Sequence, residues 1–393
     1  MSRIIFFNIP AHGHTNPTLN VVRELVSRGH EVLYYSYDLF KEKIEATGAT
    51  FVSCDSYDTQ LQLSPKQAAR MGKDLSLSTK VLVDTTLALG DAITQELIQL
   101  RPDCIVADSM ALWGKAIARK LDIPFVSSTT TFAFNQHSAG LLKQSLGDFL
   151  RMILSMPQIN RQLKRLQDHG YPFRSVLDIL QNDDNTHTIV YTSPEFQPFS
   201  DTFSDKFSFV GPSIRPPVST IKKIRPKLIY VSMGTVDNQM LPLYRRCIKA
   251  FADLDHQVIL SIGTRVPPEA FGPLPDHISL FSYVDQIAVL QQADVFLTHC
   301  GMNSVSEGLY FGVPLVMLPQ TPEQWAVARR VQQIHAGILL KKTDPKSIRA
   351  AVELLLSQTE YRESATQISA SFHAAPGAAG AADKILSVCT RNG

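Results

Sequence analysis

Val295-Phe296-Leu297-Thr298-His299-Cys300-Gly301-Met302-Asn303-Ser304-Val305-Ser306-Glu307-Gly308 is the stretch from which the rest of the chain can be read. Four apolar or β-favouring residues read as a strand, His299 to Gly301 as a turn, and Met302 onward as the opening of a helix. A helix start offers unpaired backbone N–H groups and the positive end of the helix dipole. Phosphates bind at such a place. His299, at the strand end, adds a side-chain donor or a charge. A tight strand-to-helix turn also needs small residues for its own sake, so the segment supports a purely structural reading beside the phosphate-binding one.

Outward from this stretch the chain alternates strands and helices. In the second half, strands are expected at Leu228–Ser232, Val258–Ile262, Ile278–Phe281, Val295–Thr298 and Leu315–Leu318. In the first half they are expected at Ile4–Ile9, Glu31–Tyr35, Asp103–Ala107, Pro124–Ser128 and Ile189–Tyr191. Helices are expected at Thr18–Ser27, closed by Gly29, at Val81–Leu100 and at Gly114–Leu121. Residues 135–185 read as further helices over a cleft. Such alternation implies parallel sheets covered on both faces. The fold class is therefore α/β, with two Rossmann-like, doubly wound parallel-sheet domains. Gly211 to Pro226, with four prolines, one glycine and a short basic run, reads as the linker. The expected organisation is a first domain over 1–210, a linker over 211–226, a second domain over 227–376, and a small-residue helix over 377–393 crossing back to the first.

Composition narrows the function. The 393 residues carry 38 Lys and Arg against 36 Asp and Glu, a net charge of +2, so nothing points to nucleic acid or an anionic membrane surface. No apolar run approaches the roughly 18 to 20 residues of a membrane span. The five cysteines are odd in number, widely spaced and free of any Cys-x-x-Cys pair, which favours reduced thiols in the cytoplasm over disulfides or zinc. Gly-x-Gly-x-x-Gly and Walker signatures are missing, which weighs against NAD and ATP. Asp253-Leu254-Asp255 has the form of a metal-binding Asp-x-Asp, but its position between helix and strand favours a solvated turn. No metal and no cofactor is expected.

Ligands of open parallel sheets sit outside the carboxyl ends of the strands. That rule selects His12-Gly13-His14-Thr15-Asn16, Asp108, Ser232-Met233-Gly234-Thr235, Tyr283 and His299, and predicts that they face one crevice. His14 could serve as a general base near neutral pH, with Asp108 orienting and stabilising its imidazolium. No serine or cysteine is placed to complete a triad, so the dyad would activate a hydroxyl of the substrate. The competing reading makes His14 a cap of its own helix and Asp108 a cap of the next. Glu307, one turn beyond Asn303, could reach a ribose hydroxyl. Glu323-Gln324 suits sugar hydroxyls, although an acid there also suits a helix N-terminus. Trp113, Phe132, Phe134, Leu141, Leu142 and Met152 could line an apolar pocket, and about half of such residues are core.

The run Tyr283-Val284-Asp285-Gln286, then Thr298 to Ser304, Glu307, Gly312-Val313-Pro314 and Glu323-Gln324 resembles the signature segment of UDP-dependent natural-product glycosyltransferases of the bacterial macrolide type. Gly13-His14 with Pro17, and Asp108, are similar to the N-terminal pattern of the same family. The resemblance spans the whole chain. It implies a GT-B fold with the acceptor in the first domain and UDP-sugar in the second, and a monomer. His14 is then the base and Asp108 its partner. Tyr283 stacks on uracil, Val284 meets the base through its backbone, and Ser282 assists. Gln286 and Glu307 reach the ribose. His299, Gly301, Asn303, Ser304 and Thr235 hold the diphosphate. Glu323 and Gln324 bind the sugar, and Asn16 touches the donor from the opposite wall. Trp113, Phe132, Phe134, Leu141 and Met152 line the acceptor pocket. Three positions depart from the family: Tyr283 and Met302 stand where tryptophans are common, and Glu323 where aspartate is usual. The implied reaction is inverting, metal-independent transfer of glucose to a hydroxyl of a hydrophobic macrolide, flavonoid, terpenoid or steroid. A UDP-sugar epimerase of similar architecture, a non-catalytic carrier and a nicotinamide oxidoreductase are the rivals.

Overall fold

A computed structural model describes all residues except 56–73, 139–145, 174, 176–177, 179–184, 235–239 and 390–393, and the backbone alone for 146–153. Two compact units result: Met1–Ser213 with Ala375–Gly393, and Ile214–Ala374. Each holds one sheet whose strand pairings are all parallel.

The first sheet contains β1 (Arg3–Phe7), β2 (Glu31–Ser36), β3 (Thr50–Ser53), β4 (Cys104–Asp108), β5 (Phe125–Thr129), β6 (His187–Val190) and β7 (Phe207–Phe209) in the order β3-β2-β1-β4-β5-β6-β7. Side chains alternate between two buried faces, as the period of a strand requires. Ile4, Phe6, Val32, Tyr34, Cys104 and Val106 pack on one face with Val21, Val22 and Leu25 of the helix His12–Ser27. The same face receives Ala381, Ala382, Ile385 and Val388 of the last helix, Gly377–Cys389, so the C-terminal segment is part of the first unit's core. Burying Ile385 and Val388 contributes about 1.5–3 kcal/mol each. Ile5, Phe7, Tyr35, Ile105 and Ala107 face the other way. They are covered by Leu89, Ile93 and Leu97 of Leu75–Leu100 and by Trp113 and Ile117 of Leu112–Leu121.

The second sheet contains β8 (Leu228–Ser232), β9 (Gln257–Ser261), β10 (Ile278–Phe281), β11 (Val295–Thr298), β12 (Leu315–Met317) and β13 (Gly337–Leu339), ordered β10-β9-β8-β11-β12-β13. The two sheets share one logic. In each, the strand order reverses between the unit's first and fourth strands, β1 beside β4 and β8 beside β11. Ligands of doubly wound sheets bind at this switch point.

Two expectations need correction. Residues 214–226, expected as part of a linker over 211–226, belong to the second unit and lie along it. Asp285, 5% exposed, accepts from Arg215 at 2.5 Å and from the backbone N–H groups of Val218 and Ser219 at 2.6 and 3.1 Å. Gln257 accepts from the N–H of Ile224 at 2.8 Å. Polar side chains and backbone N–H groups of this segment hold it down. The first helix starts at His12, six residues earlier than its apolar periodicity suggests, which leaves Pro17 inside it. Long-range contacts to its first turn, described below, supply what local pattern does not. Gly29, at φ +83°, closes the same helix, with its N–H on the Val26 carbonyl and that of His30 on Leu25, both within 3.1 Å.

Candidate active site

The candidate functional side chains fall into two groups, one in each unit. In the first, β1 and β4 run side by side with Phe7 opposite Ala107. The helix after β1 therefore starts beside the end of β4. His14 Nδ1 lies 2.8 Å from Asp108 Oδ2. The Asp108 side chain is fully buried and that of His14 is 19% exposed. Asp108 Oδ1 accepts from the Met110 N–H at 2.8 Å. One carboxylate thus both orients the imidazole and holds the turn that precedes the next helix, but it does not cap that helix, whose N-cap is Ala111 without a side-chain bond.

Two further residues, not singled out from the sequence, fix His14. Thr130 Oγ1 is 3.1 Å from His14 Nδ1. Asn8, 1% exposed, donates from Nδ2 to the His14 carbonyl at 3.0 Å and to the Tyr34 hydroxyl at 2.8 Å. That hydroxyl is 2.7 Å from Thr18 Oγ1, which donates to the Thr15 carbonyl at 2.8 Å. The chain of bonds clamps the first turn of the helix from inside the core. The strand-end rule, applied also to Pro124–Ser128, would have pointed to Thr130.

In the second unit the switch point brings together the end of β8 and the turn after β11. The His299 ring lies against two glycines. A Cβ on Gly234 would fall 2.5 Å from its Cε1, and one on Gly301 2.7 Å from its Nε2. Gly234 also has φ +78°, a conformation side chains resist. Burial lowers the His299 imidazole to about 4, so it is neutral at pH 7 and offers a hydrogen bond rather than the charge the sequence also allowed. Its buried Nδ1 has no partner among the described residues. An unpaired buried polar atom costs about 1–3 kcal/mol, which suits a site that a ligand completes. The helix Met302–Tyr310 begins at Gly301 without a side-chain cap, and its first ladder bond runs from the Val305 N–H to the Gly301 carbonyl at 3.0 Å. The N–H groups of residues 302–304 precede that ladder, as anion binding at a helix start requires.

Glu307 and Ser304 lie one turn apart on this helix and meet Gln286 of the helix Gln286–Leu290. Gln286 Nε2 donates to Ser304 Oγ at 3.3 Å and to Glu307 Oε2. Burial raises the Glu307 carboxyl to about 7, against the pull of Gln286 and Arg215. Ser282 and Tyr283 are exposed on the loop after β10, Tyr283 by 73%, and Val284 is half-buried. An exposed aromatic ring offers a face on which a base can stack.

Glu323 is exposed at the start of Pro322–Gln333. Gln324 closes a capping box with Thr321: its Oε1 accepts from the N–H groups of Gln320 and Thr321 at 2.8 and 3.3 Å. That engagement commits its oxygen as an acceptor within the cap. Asn303, Gly301 and Ser304 are half-buried around the helix start, and Asn16 is exposed in the first unit. Thr235 and Leu141 lie outside the described residues, as does the Met152 side chain. Phe134 is half-buried.

Two acceptor-pocket assignments are corrected. Trp113, 2% exposed, belongs to the core beneath the first sheet. Its neighbour Gly114 sits so close that a Cβ would be 2.4 Å from Ala107. Phe132, also 2% exposed, packs on Phe196 with ring centroids 5.4 Å apart. Asp253 and Asp255 each pair with an arginine, Arg349 at 3.0 Å and Arg225 at 2.5 Å, in a solvated turn.

Comparison with known proteins bears on the family and the fold. Residues 245–388 match the family described as "Erythromycin biosynthesis protein CIII-like, C-terminal domain". The chain is 35% identical over 371 residues to NDP-glycosyltransferase YjiC of Bacillus licheniformis, covering 91% of this chain and 89% of that protein. It is 32% identical to a Bacillus subtilis protein named "Uncharacterized UDP-glucosyltransferase YojK", covering 98% and 97%. Among solved structures it resembles CalG4, the calicheamicin glycosyltransferase, with a TM-score of 0.83, 29% identity and coverage of 100% and 99%. Two parallel-sheet α/β domains of GT-B type, each with its polar residues gathered at the sheet's switch point, and these similarities make the chain an enzyme of the bacterial NDP-glycosyltransferase family.

Proposed function

We propose that this glycosyltransferase moves glucose from UDP-glucose to a hydroxyl of a hydrophobic natural product, with inversion at the anomeric carbon. The His14–Asp108 contact at 2.8 Å, with its carboxylate wholly buried, is the observation that carries the reading. His14 takes the proton of the acceptor hydroxyl as the oxygen attacks the anomeric carbon, and Asp108 stabilises the imidazolium. A base that serves the acceptor, with no side-chain nucleophile attacking the sugar, implies one displacement and therefore inversion. The departing UDP carries its charge to the N–H groups at residues 302–304 and to His299, which supply the stabilisation without a metal.

The remaining assignments follow the family resemblance. Tyr283 and Val284 take uracil with help from Ser282, Gln286 and Glu307 take the ribose, and Glu323 with Gln324 takes the sugar. Asn16 and Thr235 assist at the donor, and Phe134, Leu141 and Met152 serve the acceptor. The name of YojK supports UDP-glucose, and calicheamicin in the name of a similar structure and erythromycin in the family's description support a natural-product acceptor. The proposed acceptor and donor residues all belong to one chain, which is compatible with a monomer. None of the five cysteines, all among the described residues, is in a disulfide, which suits the cytoplasm.

An acceptor panel screened for UDP release with several UDP-sugars identifies the substrates, and the anomeric configuration of the product reads the stereochemistry. A β-glucoside from α-configured UDP-glucose is expected, and an α-product would refute inversion. His14→Ala should lose about 10²–10⁴ of kcat while UDP affinity stays. Full activity in that variant removes the base. Dependence of the rate on an added divalent cation would overturn the metal-free leaving-group assignment.

A further inference from the structure

Tyr230, in the middle of β8, is 1% exposed and stacks on Phe296 of β11 with centroids 4.8 Å apart and planes 18° apart. That packing needs the ring and not the hydroxyl. The hydroxyl donates to Gln286 Oε1 at 3.1 Å. With Oε1 so occupied, the Gln286 amide can present only Nε2 to Ser304 Oγ and Glu307 Oε2. The polarity of both neighbours follows. Ser304 Oγ receives a hydrogen bond, so its own O–H is released to donate elsewhere. Glu307 is held by one oxygen, and the other keeps its lone pairs for incoming hydroxyls. A reversed amide would set Oε1 against the carboxylate and consume the Ser304 hydrogen.

We infer that Tyr230 is a positioning residue for the nucleotide: through Gln286 it makes Ser304 a donor toward the diphosphate and Glu307 an acceptor toward the ribose hydroxyls. This rests on the donor reading proposed above and adds to it a residue of the sheet interior that touches no ligand. The inference also predicts a pH signature. The groups acting on Glu307 are Gln286 and Arg215, which favour its ionised form, Asp285, which opposes it, and Tyr230 itself. Above its value of about 7 the carboxylate by itself draws Nε2 inward. Below it the neutral carboxyl can donate to Oε1 or accept from Nε2, and the Tyr230 hydroxyl alone decides.

Calorimetric titration of UDP into Tyr230→Phe, at pH 6.0 and pH 8.5 and each time relative to the unsubstituted enzyme, tests this. The lost bond should weaken UDP about 3- to 10-fold at pH 6.0 and less at pH 8.5. KM for UDP-glucose should rise by more than kcat falls, and the thermal midpoint should stay within a few degrees because the ring remains. Unchanged affinity at both pH values overturns the inference, and so does an equal loss at both accompanied by a lowered midpoint. Gln286→Ala and Glu307→Ala separate the two levels of the argument. If neither weakens UDP, the donor reading itself fails. If both do while Tyr230→Phe does not, only the positioning role fails.

Discussion

Asp108→Asn isolates the electrostatic core of the proposed mechanism, because it changes one charge and almost no volume. Asp108 Oδ1 receives the Met110 N–H at 2.8 Å and Oδ2 faces His14 Nδ1 at 2.8 Å. In the asparagine variant the carbonyl oxygen must keep the Met110 N–H, since the amide nitrogen there would leave two donors facing each other. The NH₂ group then points at His14 and donates to Nδ1. The imidazole is driven to the tautomer protonated on Nε2, which cannot accept the acceptor's proton. The imidazolium also loses its counter-charge. Two unit charges about 4 Å apart interact by about 4 kcal/mol at an effective dielectric of about 20, a value suited to a ring that keeps some solvent contact. At about 1.4 kcal/mol per decade, kcat should fall about a thousandfold. The assay is UDP release at saturating UDP-glucose and acceptor, with UDP affinity measured by calorimetry and expected to be unaltered. A rate within threefold of the unsubstituted enzyme at intact UDP affinity would refute the dyad. An equal fall in rate and affinity would instead assign Asp108 to the fold.

Gly234→Ala tests the cradle around His299. Its φ of +78° adds about 1–2 kcal/mol of strain, and its Cβ would displace an imidazole atom only 2.5 Å away. UDP affinity should drop at least tenfold and the unfolding midpoint should fall by a few degrees; wild-type affinity would remove the cradle from donor binding. Glu307→Gln tests the buried carboxyl. Because the folded carboxyl titrates near 7 and the unfolded one near 4.5, its contribution to stability is complete below pH 4.5 and is lost as pH rises through 7. The non-ionising glutamine should therefore gain about 3 kcal/mol on the unsubstituted protein between pH 4 and pH 9, read from urea unfolding midpoints. A difference independent of pH contradicts the raised value.

Much of this was legible in the strand pattern. Ile4 to Phe7, Cys104 to Ala107 and Val295 to Thr298 are continuous apolar or β-favouring runs, as strands buried on both faces must be. Their carboxyl ends carry His14, Asp108 and His299 within a few residues. The short strands Thr50–Ser53, Phe207–Phe209 and Gly337–Leu339 escaped notice because three or four residues carry little periodicity. Trp113 and Phe132 were open to two readings, since an aromatic side chain has the same identity in a core and in a pocket. Thr130 and Asn8 were missed for a related reason: a lone threonine or asparagine is informative only when its partner is known. Tyr230 reads as strand filling until its hydroxyl is seen on Gln286.

By itself, the order of residues determined two parallel α/β units, the helix start after Thr298 that suits an anion, and the histidine and aspartate at neighbouring strand ends. These are consequences of local pattern, of periodicity and of what must follow a buried strand. Only the tertiary structure decided that the aspartate reaches the histidine while also holding Met110, that His299 lies neutral between two glycines, and that residues 214–226 lie along the second unit. Each depends on atoms far apart in sequence arriving within about 3 Å, and on the loss of water that follows. Burial and hydrogen-bond partnership set charge and tautomer, and neither is a property of a residue until its neighbours are in place.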